Sequence, residues 1–136
     1  MSQLNPYKGS TPRCWVRLRF RAADGSLHER ELLADTGSPC AVILGAADLS
    51  LVLRAAAPPI GSNFGTLSGA WLELAMPEIS LTNFVLGYGS DPVRQAAQSD
   101  CPDFAGLVGL PLLRLVEYGG DSTSFWLRPA ATVATP

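Results

Sequence analysis

The feature that most constrains this chain is an apolar run that ends abruptly in a carboxylate. Leu32-Leu33-Ala34 leads directly into Asp35-Thr36-Gly37-Ser38. The apolar run is typical of a buried strand, and acidic side chains are rarely buried without a partner. Gly37 lets another backbone segment approach closely. The sequence therefore predicts either a functional site at Asp35 or an ordinary turn between strands, because turns use the same residue types.

Short alternating segments on both sides of this stretch predict a mostly β protein. From Trp15 to Phe20 apolar residues alternate with arginines, as in a half-buried strand, and the turn signal Ala23-Asp24-Gly25-Ser26 leads to a returning strand over 27–34. Further strands are expected over 41–44, 79–86, 104–109 and 122–128. One clear helix is expected over 110–118, where Pro111 suits the first turn, and brief helical turns are open alternatives over 45–54 and 93–98. These patterns predict an all-β, barrel-like fold with one short C-terminal helix.

The length of 136 residues allows one domain with a substantial core. Residues 1–13 contain two prolines and a glycine, and they predict an irregular N-terminal arm. Residues 14–128 carry the strand patterns and form the predicted domain. Residues 129–136 are expected to be a flexible tail.

The composition argues against several functional classes. A net charge of -2 without a basic run argues against nucleic-acid binding, and no apolar run approaches the roughly 20 residues that span a membrane. Three cysteines and one histidine without metal-ligand spacing predict neither a metal nor another cofactor, and they favour reduced thiols in a cytoplasm. The single His28 also disfavours Ser-His and Cys-His catalysis.

A glycine-rich segment between residues 60 and 75 is the second notable stretch. Gly61, Gly65 and Gly69 surround Phe64, and they are followed by an alternating strand pattern. We expect a β-hairpin whose mobile tip lies near Asn63, Phe64 and Gly65. A plain surface loop would have the same composition.

The order of these features resembles that of the retropepsin-like aspartic proteases over roughly residues 14–128. The resemblance rests on Asp35-Thr36-Gly37-Ser38 after an apolar strand, on the glycine-bearing hairpin, and on Leu107-Val108-Gly109 before the leucine-rich segment 110–113. It implies a small closed β-barrel of the acid protease type, in which Leu107, Val108 and Gly109 form a structural motif beside the Asp35 loop.

The resemblance also implies roles for individual residues. Asp35 would be the catalytic carboxylate, and Gly37 would direct its backbone N–H at that carboxylate. Thr36 would hydrogen-bond across a twofold axis, and Ser38 would donate to the outer carboxylate oxygen. Asn63, Phe64 and Gly65 would form a flap over an extended peptide or protein substrate.

The chemistry requires two carboxylates, because one must take a proton from water while the other donates one. The sequence contains one Asp-Thr-Gly. We therefore expect a homodimeric aspartic endopeptidase, in which each subunit contributes one Asp35. The alternative is a catalytically inactive domain of the same fold that serves as a peptide-binding or dimerisation module.

Overall fold

The structure is a computed structural model that describes residues 1–131, and it is mostly β-strand. The strands of the described residues are β1 (Gln3–Pro6), β2 (Trp15–Arg21), β3 (Leu27–Ala34), β4 (Val42–Leu44), β5 (Ala55–Ser62), β6 (Gly65–Met76), β7 (Leu81–Gly89), β8 (Phe104–Val108), β9 (Val116–Gly120) and β10 (Ser124–Pro129). The α-helices are α1 (Ala46–Val52), α2 (Asp91–Gln98) and α3 (Leu110–Leu113), and a 3-10 turn covers Pro77–Ile79.

Six of the strands close into a barrel in the order β2-β3-β8-β4-β7-β6, because β6 returns to pair with β2. β3 runs parallel to β8 and β4 runs parallel to β7, whereas the other pairs in the barrel are antiparallel. β5 lies outside the barrel and forms a hairpin with β6. The all-β barrel predicted from the strand patterns is confirmed at this level.

Apolar residues that alternate along the strands fill the barrel. On β2, Val16, Leu18 and Phe20 are fully buried, whereas the intervening arginines are partly or fully exposed. The same core extends beyond the barrel to buried residues of α3 and β10, namely Leu112, Leu113, Phe125 and Leu127. The barrel and the elements beside it therefore share one core.

A second sheet of three strands, in the order β1-β10-β9, brings the N-terminal strand against the last one. The buried side chains of Gln3 and Asn5 connect β1 to the barrel. Gln3 Nε2 donates to the Arg17 carbonyl at 3.0 Å, and Gln3 Oε1 accepts from the Arg17 N–H at 2.8 Å. Asn5 Nδ2 donates to the Trp15 carbonyl at 2.9 Å. Side-chain amides thus take the place of a backbone ladder between β1 and β2.

The prediction of an irregular arm over residues 1–13 is therefore wrong for Gln3–Pro6. The residues of β1 that face inward are Gln3 and Asn5, and those that face outward include Leu4. A half-buried strand usually has apolar residues facing inward and polar residues facing outward, and β1 has the reverse. Its sequence therefore did not indicate a strand. Both polar atoms of the Gln3 amide are hydrogen-bonded, and so is Asn5 Nδ2, whereas Asn5 Oδ1 has no partner among the described residues.

The helix predicted over 110–118 is wrong in its second half. Helix α3 ends at Leu113, and Val116 already pairs with β10 opposite Pro129. Tyr118 lies opposite Leu127 in the same ladder. Strand pairing in the folded chain thus overrides the local helix signal. The prediction of one short C-terminal helix counts too few helices, since α1 and α2 are helical in the segments for which a brief helical turn is an open alternative.

The C-terminal tail predicted over 129–136 begins one residue too early, because Pro129 is the last residue of β10. Residues 132–136 of that predicted tail lie outside the described residues. Within the described part of the chain, none of the helices has the length and apolar character needed to cross a membrane.

Candidate active site

Asp35 is the first residue after β3, and the parallel strand β8 fixes its backbone. Its N–H donates to the Val108 carbonyl at 2.8 Å, one residue beyond the Ala34–Val108 pair of the ladder. The side chain is exposed in the single chain. Its Oδ1 accepts the Gly37 N–H at 2.9 Å, as the sequence predicted. The apolar strand therefore delivers this carboxylate to the surface in a defined position.

The predicted motif Leu107, Val108 and Gly109 lies directly against the Asp35 loop. The Gly109 N–H donates to the Ala41 carbonyl at 3.0 Å, and the Leu110 N–H donates to the Ser38 carbonyl at 3.1 Å. A Cβ on Gly109 would lie 2.0 Å from the Cys40 carbonyl oxygen and 2.6 Å from that of Ser38. Close backbone packing thus requires glycine at position 109, and it holds the loop in place.

The hydroxyl of Ser38 has a different hydrogen-bond partner from the one that the resemblance implied. Its hydroxyl accepts the Cys40 N–H at 3.2 Å and donates to the Cys40 carbonyl at 3.3 Å. The expected hydrogen bond from this hydroxyl to the Asp35 carboxylate is therefore wrong for this structure. Ser38 is buried and supports the loop through its own turn, a common role for serine.

Thr36 is the residue of the loop that follows Asp35. It is exposed and borders a small cavity together with Leu110, Pro111 and Arg114. Among residues 1–131 its hydroxyl has no hydrogen-bond partner. The predicted hydrogen bond from Thr36 across a twofold axis concerns a second chain and stays a prediction.

The predicted glycine-bearing hairpin is formed by β5 and β6, and Asn63 and Phe64 are at its tip. Ser62 Oγ donates to the Gly65 carbonyl at 2.8 Å and accepts the Phe64 N–H at 3.0 Å. Gly65 has a φ of 89°, a left-handed conformation that glycine adopts without steric cost. The tip is therefore a hydrogen-bonded turn rather than an unstructured loop.

One groove, about 620 Å³ in volume, is bordered by both the Asp35 loop and the hairpin tip. Asp35, Gly37 and Ser38 line it from the loop, and Asn63 and Phe64 line it from the tip. Thr36 and Gly65 are not in its wall, so the structure brings together five of the seven predicted loop and tip residues. Most of the remaining wall is apolar, and it includes Leu33, Ile43, Ile60, Leu67, Val93 and Leu107.

Sequence reasoning missed that α2 forms part of this groove. Val93, Ala96 and Ala97 of α2 line it. The helix itself had usable signals, because Pro92 lies in its first turn and the Ser90 hydroxyl caps it by accepting the Val93 N–H at 3.2 Å. What no local signal indicated was the packing of this helix beside Asp35.

A second cavity, of about 490 Å³, also contains Asp35, and Asp100 lies in its wall. Asp100 Oδ1 accepts from Ser10 Oγ at 2.8 Å and from the Thr11 N–H at 3.2 Å, and Oδ2 accepts from Arg13 Nε at 3.2 Å. The hydrogen bond from Ser10, followed by those from Thr11 and Arg13, holds the pKa of Asp100 below its ordinary value. Asp100 is thus an ionised anchor for the N-terminal segment.

Neither the thiols nor the histidine offers an alternative nucleophilic centre at the groove. Cys40 lies in the groove wall, but burial raises the pKa of its thiol, which keeps it protonated. His28 contacts Ser26 at 2.8 Å near the start of β3. Six strand residues lie between it and Asp35, a distance of roughly 20 Å. In the described part of the chain, no group of three or more His, Cys, Asp or Glu side chains is placed to hold a metal ion.

Comparisons with family models, curated proteins and solved structures found no match to this chain.

Proposed function

We propose that this chain is one subunit of a homodimeric aspartic endopeptidase of the retropepsin-like type. The position of Asp35 supports the proposal most directly. Its carboxylate opens into an apolar groove, on a loop fixed by Val108 and Gly109, and the tip residue Phe64 borders the same groove. A groove of this kind suits an extended peptide, because its wall provides apolar contacts around one reactive group.

A single chain does not supply the second carboxylate that amide hydrolysis needs. Among the described residues that border the two cavities containing Asp35, Asp100 is the other carboxylate. Three hydrogen bonds already engage it, and its lowered pKa keeps it ionised. It is therefore unsuited to sharing a proton. A second copy of the chain, related by a twofold axis beside Asp35, would supply the partner.

In the proposed mechanism two Asp35 carboxylates hold one proton between them, because carboxylates about 3 Å apart cannot both ionise. The ionised carboxylate takes a proton from a water molecule, whose oxygen attacks the peptide carbonyl carbon. The other carboxylic acid donates its proton to the substrate, and breaking of the C–N bond releases the amine after it is protonated. Gly37 would hold Asp35 through its N–H, and Thr36 would bond across the axis.

The hairpin tip would act as the flap of this enzyme. Asn63 and Phe64 border the groove, while Gly65 provides the turn that places them there. Closure of the tip over a bound peptide would exclude water from the reacting atoms. The three free thiols, Cys14, Cys40 and Cys101, favour a reducing compartment such as the cytoplasm for this activity.

Substitution of Asp35 by asparagine tests the proposal. Asparagine is nearly isosteric but does not ionise, so we expect the rate of peptide cleavage to fall by roughly 10²- to 10⁴-fold or more. A mixed peptide library over a range of pH, with and without an aspartic protease inhibitor, is the assay. Asp103→Asn is the matched control, because Asp103 is exposed and contacts only Lys8, at 3.4 Å.

Three outcomes separate the interpretations. Cleavage that disappears in Asp35→Asn and persists in Asp103→Asn supports the endopeptidase. Equal cleavage in both variants overturns the endopeptidase proposal and means that the Asp35 loop is an ordinary turn between strands. A wild-type protein that binds peptides without cleaving them is instead the inactive peptide-binding module.

A further inference from the structure

The two cavities that contain Asp35 meet along a common boundary. The apolar groove and the second cavity share three wall residues, namely Leu33, Asp35 and Ala96. Leu33 lies near the end of β3, Asp35 directly follows this strand, and Ala96 is an exposed residue of α2. A peptide that passes Asp35 from one cavity to the other must pass the small side chain of Ala96.

The two cavities differ in chemistry. Asp35 is the one charged residue in the wall of the first, among the residues that the structure describes. The second contains Arg13, whose side chain is 51% exposed and contacts Asp100 through Nε alone. Its two terminal nitrogens have no hydrogen-bond partner within residues 1–131. They remain available to a ligand.

We propose that the substrate occupies both cavities, with an apolar side chain in the first and a neutral hydrogen-bond acceptor, such as a glutamine side chain, in the second. Arg13 is the residue that recognises the acceptor, and Ala96 is the residue whose small size lets the peptide cross. This inference rests on the proposed function, because it assigns the substrate class of the same site.

Charge favours a neutral acceptor over a carboxylate. Asp100 already offsets the charge of Arg13 at 3.2 Å, and Asp35 adds negative charge to the same cavity. A carboxylate would meet repulsion from both aspartates, whereas an amide oxygen accepts from the free guanidinium nitrogens without it. Neither a lysine nor a leucine side chain has an acceptor atom for the free guanidinium nitrogens.

Peptide binding by the Asp35→Asn protein tests the recognition by Arg13 without any need for turnover. Because this variant lacks the Asp35 charge, the comparison that decides is between glutamine and leucine. The probes are fluorescent heptapeptides with leucine at the central position, in which glutamine, glutamate, leucine or lysine is placed in turn at each of the two nearest positions on either side. We expect the best glutamine peptide to bind about threefold to tenfold more tightly than its leucine counterpart, as one hydrogen bond to Arg13 would give. Equal affinity for the two peptides at every position would overturn the proposal.

Two further substitutions locate the preference. Arg13→Lys keeps the charge beside Asp100 but removes the forked donors, so the preference for glutamine should disappear. Ala96→Phe should block the passage between the two cavities and lower the affinity for the glutamine peptide by about tenfold or more. The matched controls are Arg19→Lys on β2 and Gln95→Phe, an exposed neighbour on α2 outside both cavities. Equal losses in Ala96→Phe and Gln95→Phe would contradict the role of Ala96.

Cleavage of the same peptides by the wild-type protein separates the two proposals. Cleavage without a glutamine preference would leave the endopeptidase standing and overturn the recognition by Arg13. A glutamine preference in binding, without cleavage of any peptide, would support the recognition and reject the endopeptidase.

Discussion

Ser38 stabilises the Asp35 loop through hydrogen bonds to the backbone of Cys40, so its removal should affect folding more than chemistry. In Ser38→Ala the buried Cys40 N–H loses its acceptor, at a cost of about 1–3 kcal/mol in the free energy of unfolding. The pH profile of kcat/KM should not move, because the hydroxyl does not contact Asp35. Urea unfolding and the pH profile of peptide cleavage measure the two effects.

Ser68→Ala is the matched control for Ser38→Ala, because Ser68 is exposed on β6 and makes no side-chain hydrogen bond among the described residues. The free energy of unfolding of Ser68→Ala should stay close to that of the wild type. A pH optimum that shifts upward in Ser38→Ala, with unchanged stability, would show instead that the hydroxyl serves Asp35.

The contrast between Gly37 and Ser38 shows which residue-scale features a sequence predicts. The contact from the Gly37 N–H to Asp35 follows from the local turn, in which two neighbours on the chain meet. A serine hydroxyl rotates freely and has several acceptors within reach, so its partner depends on the folded loop. Position 109 has room only for glycine, because the carbonyl oxygens of Ser38 and Cys40 lie close to it. These two residues are about seventy positions away in the sequence, so a local pattern does not predict the contact.

At the scale of elements, the β5–β6 hairpin allows a direct test of the flap. Phe64 and Phe84 are both 54% exposed, but only Phe64 borders the groove that contains Asp35. Phe64→Ala should therefore raise KM and lower kcat/KM, whereas Phe84→Ala should leave both near their wild-type values. The two variants should lose similar stability. Steady-state kinetics that respond equally to both substitutions would exclude the hairpin tip as the flap.

The N-terminal segment before β2 is held to the end of α2 by Asp100, and this contact should depend on pH. The pKa of Asp100 is lowered in the folded chain, so the group stabilises the fold above its unfolded pKa of 3.8. That contribution is lost as pH falls through the lowered value. We expect Asp100→Asn to be less stable than the wild type at pH 7, and the difference to shrink below about pH 4.

Thermal unfolding of Asp100→Asn and wild type from pH 7 to pH 2.5 measures this difference. Asp103→Asn again serves as the control, because its carboxylate is 61% exposed and lies 3.4 Å from Lys8. A destabilisation by Asp100→Asn that is constant over the whole range would show that its charge is not what anchors the segment.

Strands with an apolar periodicity in their own sequence were predicted. Strands that form because of contacts with distant parts of the chain were missed. On barrel strand β2 the apolar residues alternate as expected, and a hairpin turn connects this strand to β3. Strand β1 lacks it because Gln3 and Asn5 are buried against the backbone of β2. Strand β9 is determined by its pairing with β10, which the leucine-rich sequence before it does not indicate.

At the scale of the whole molecule, the second sheet limits which strands could pair with a second copy of the chain in the proposed dimer. The last strand, β10, is paired with β1 on one side and β9 on the other. Of this sheet, β1 and β9 have unpaired edges within the described residues. Backbone pairing with a second copy would therefore use β1 or β9, while β10 contributes side chains.

A twofold axis beside Asp35 would place the face around Thr36 and Leu110 in the interface. Leu110 is 37% exposed, borders the same small cavity as Thr36, and is the first residue of α3. Leu110→Asp should disfavour association by placing charge in the interface, although an acidic residue at a helix start does not oppose folding. Leu51→Asp is the control, because Leu51 is 47% exposed on α1 and borders none of the cavities that contain Asp35.

Sedimentation at micromolar concentration should give twice 14.4 kDa for the wild type and for Leu51→Asp, and a larger monomer fraction for Leu110→Asp. Cleavage should follow the dimer population, because the proposed reaction needs two Asp35 carboxylates, one from each chain. Activity per chain should therefore fall on dilution, and it should fall further in Leu110→Asp at equal concentration. A protein that cleaves peptides as a strict monomer, with a rate proportional to its concentration, would show that one Asp35 suffices and would remove the reason for the dimer.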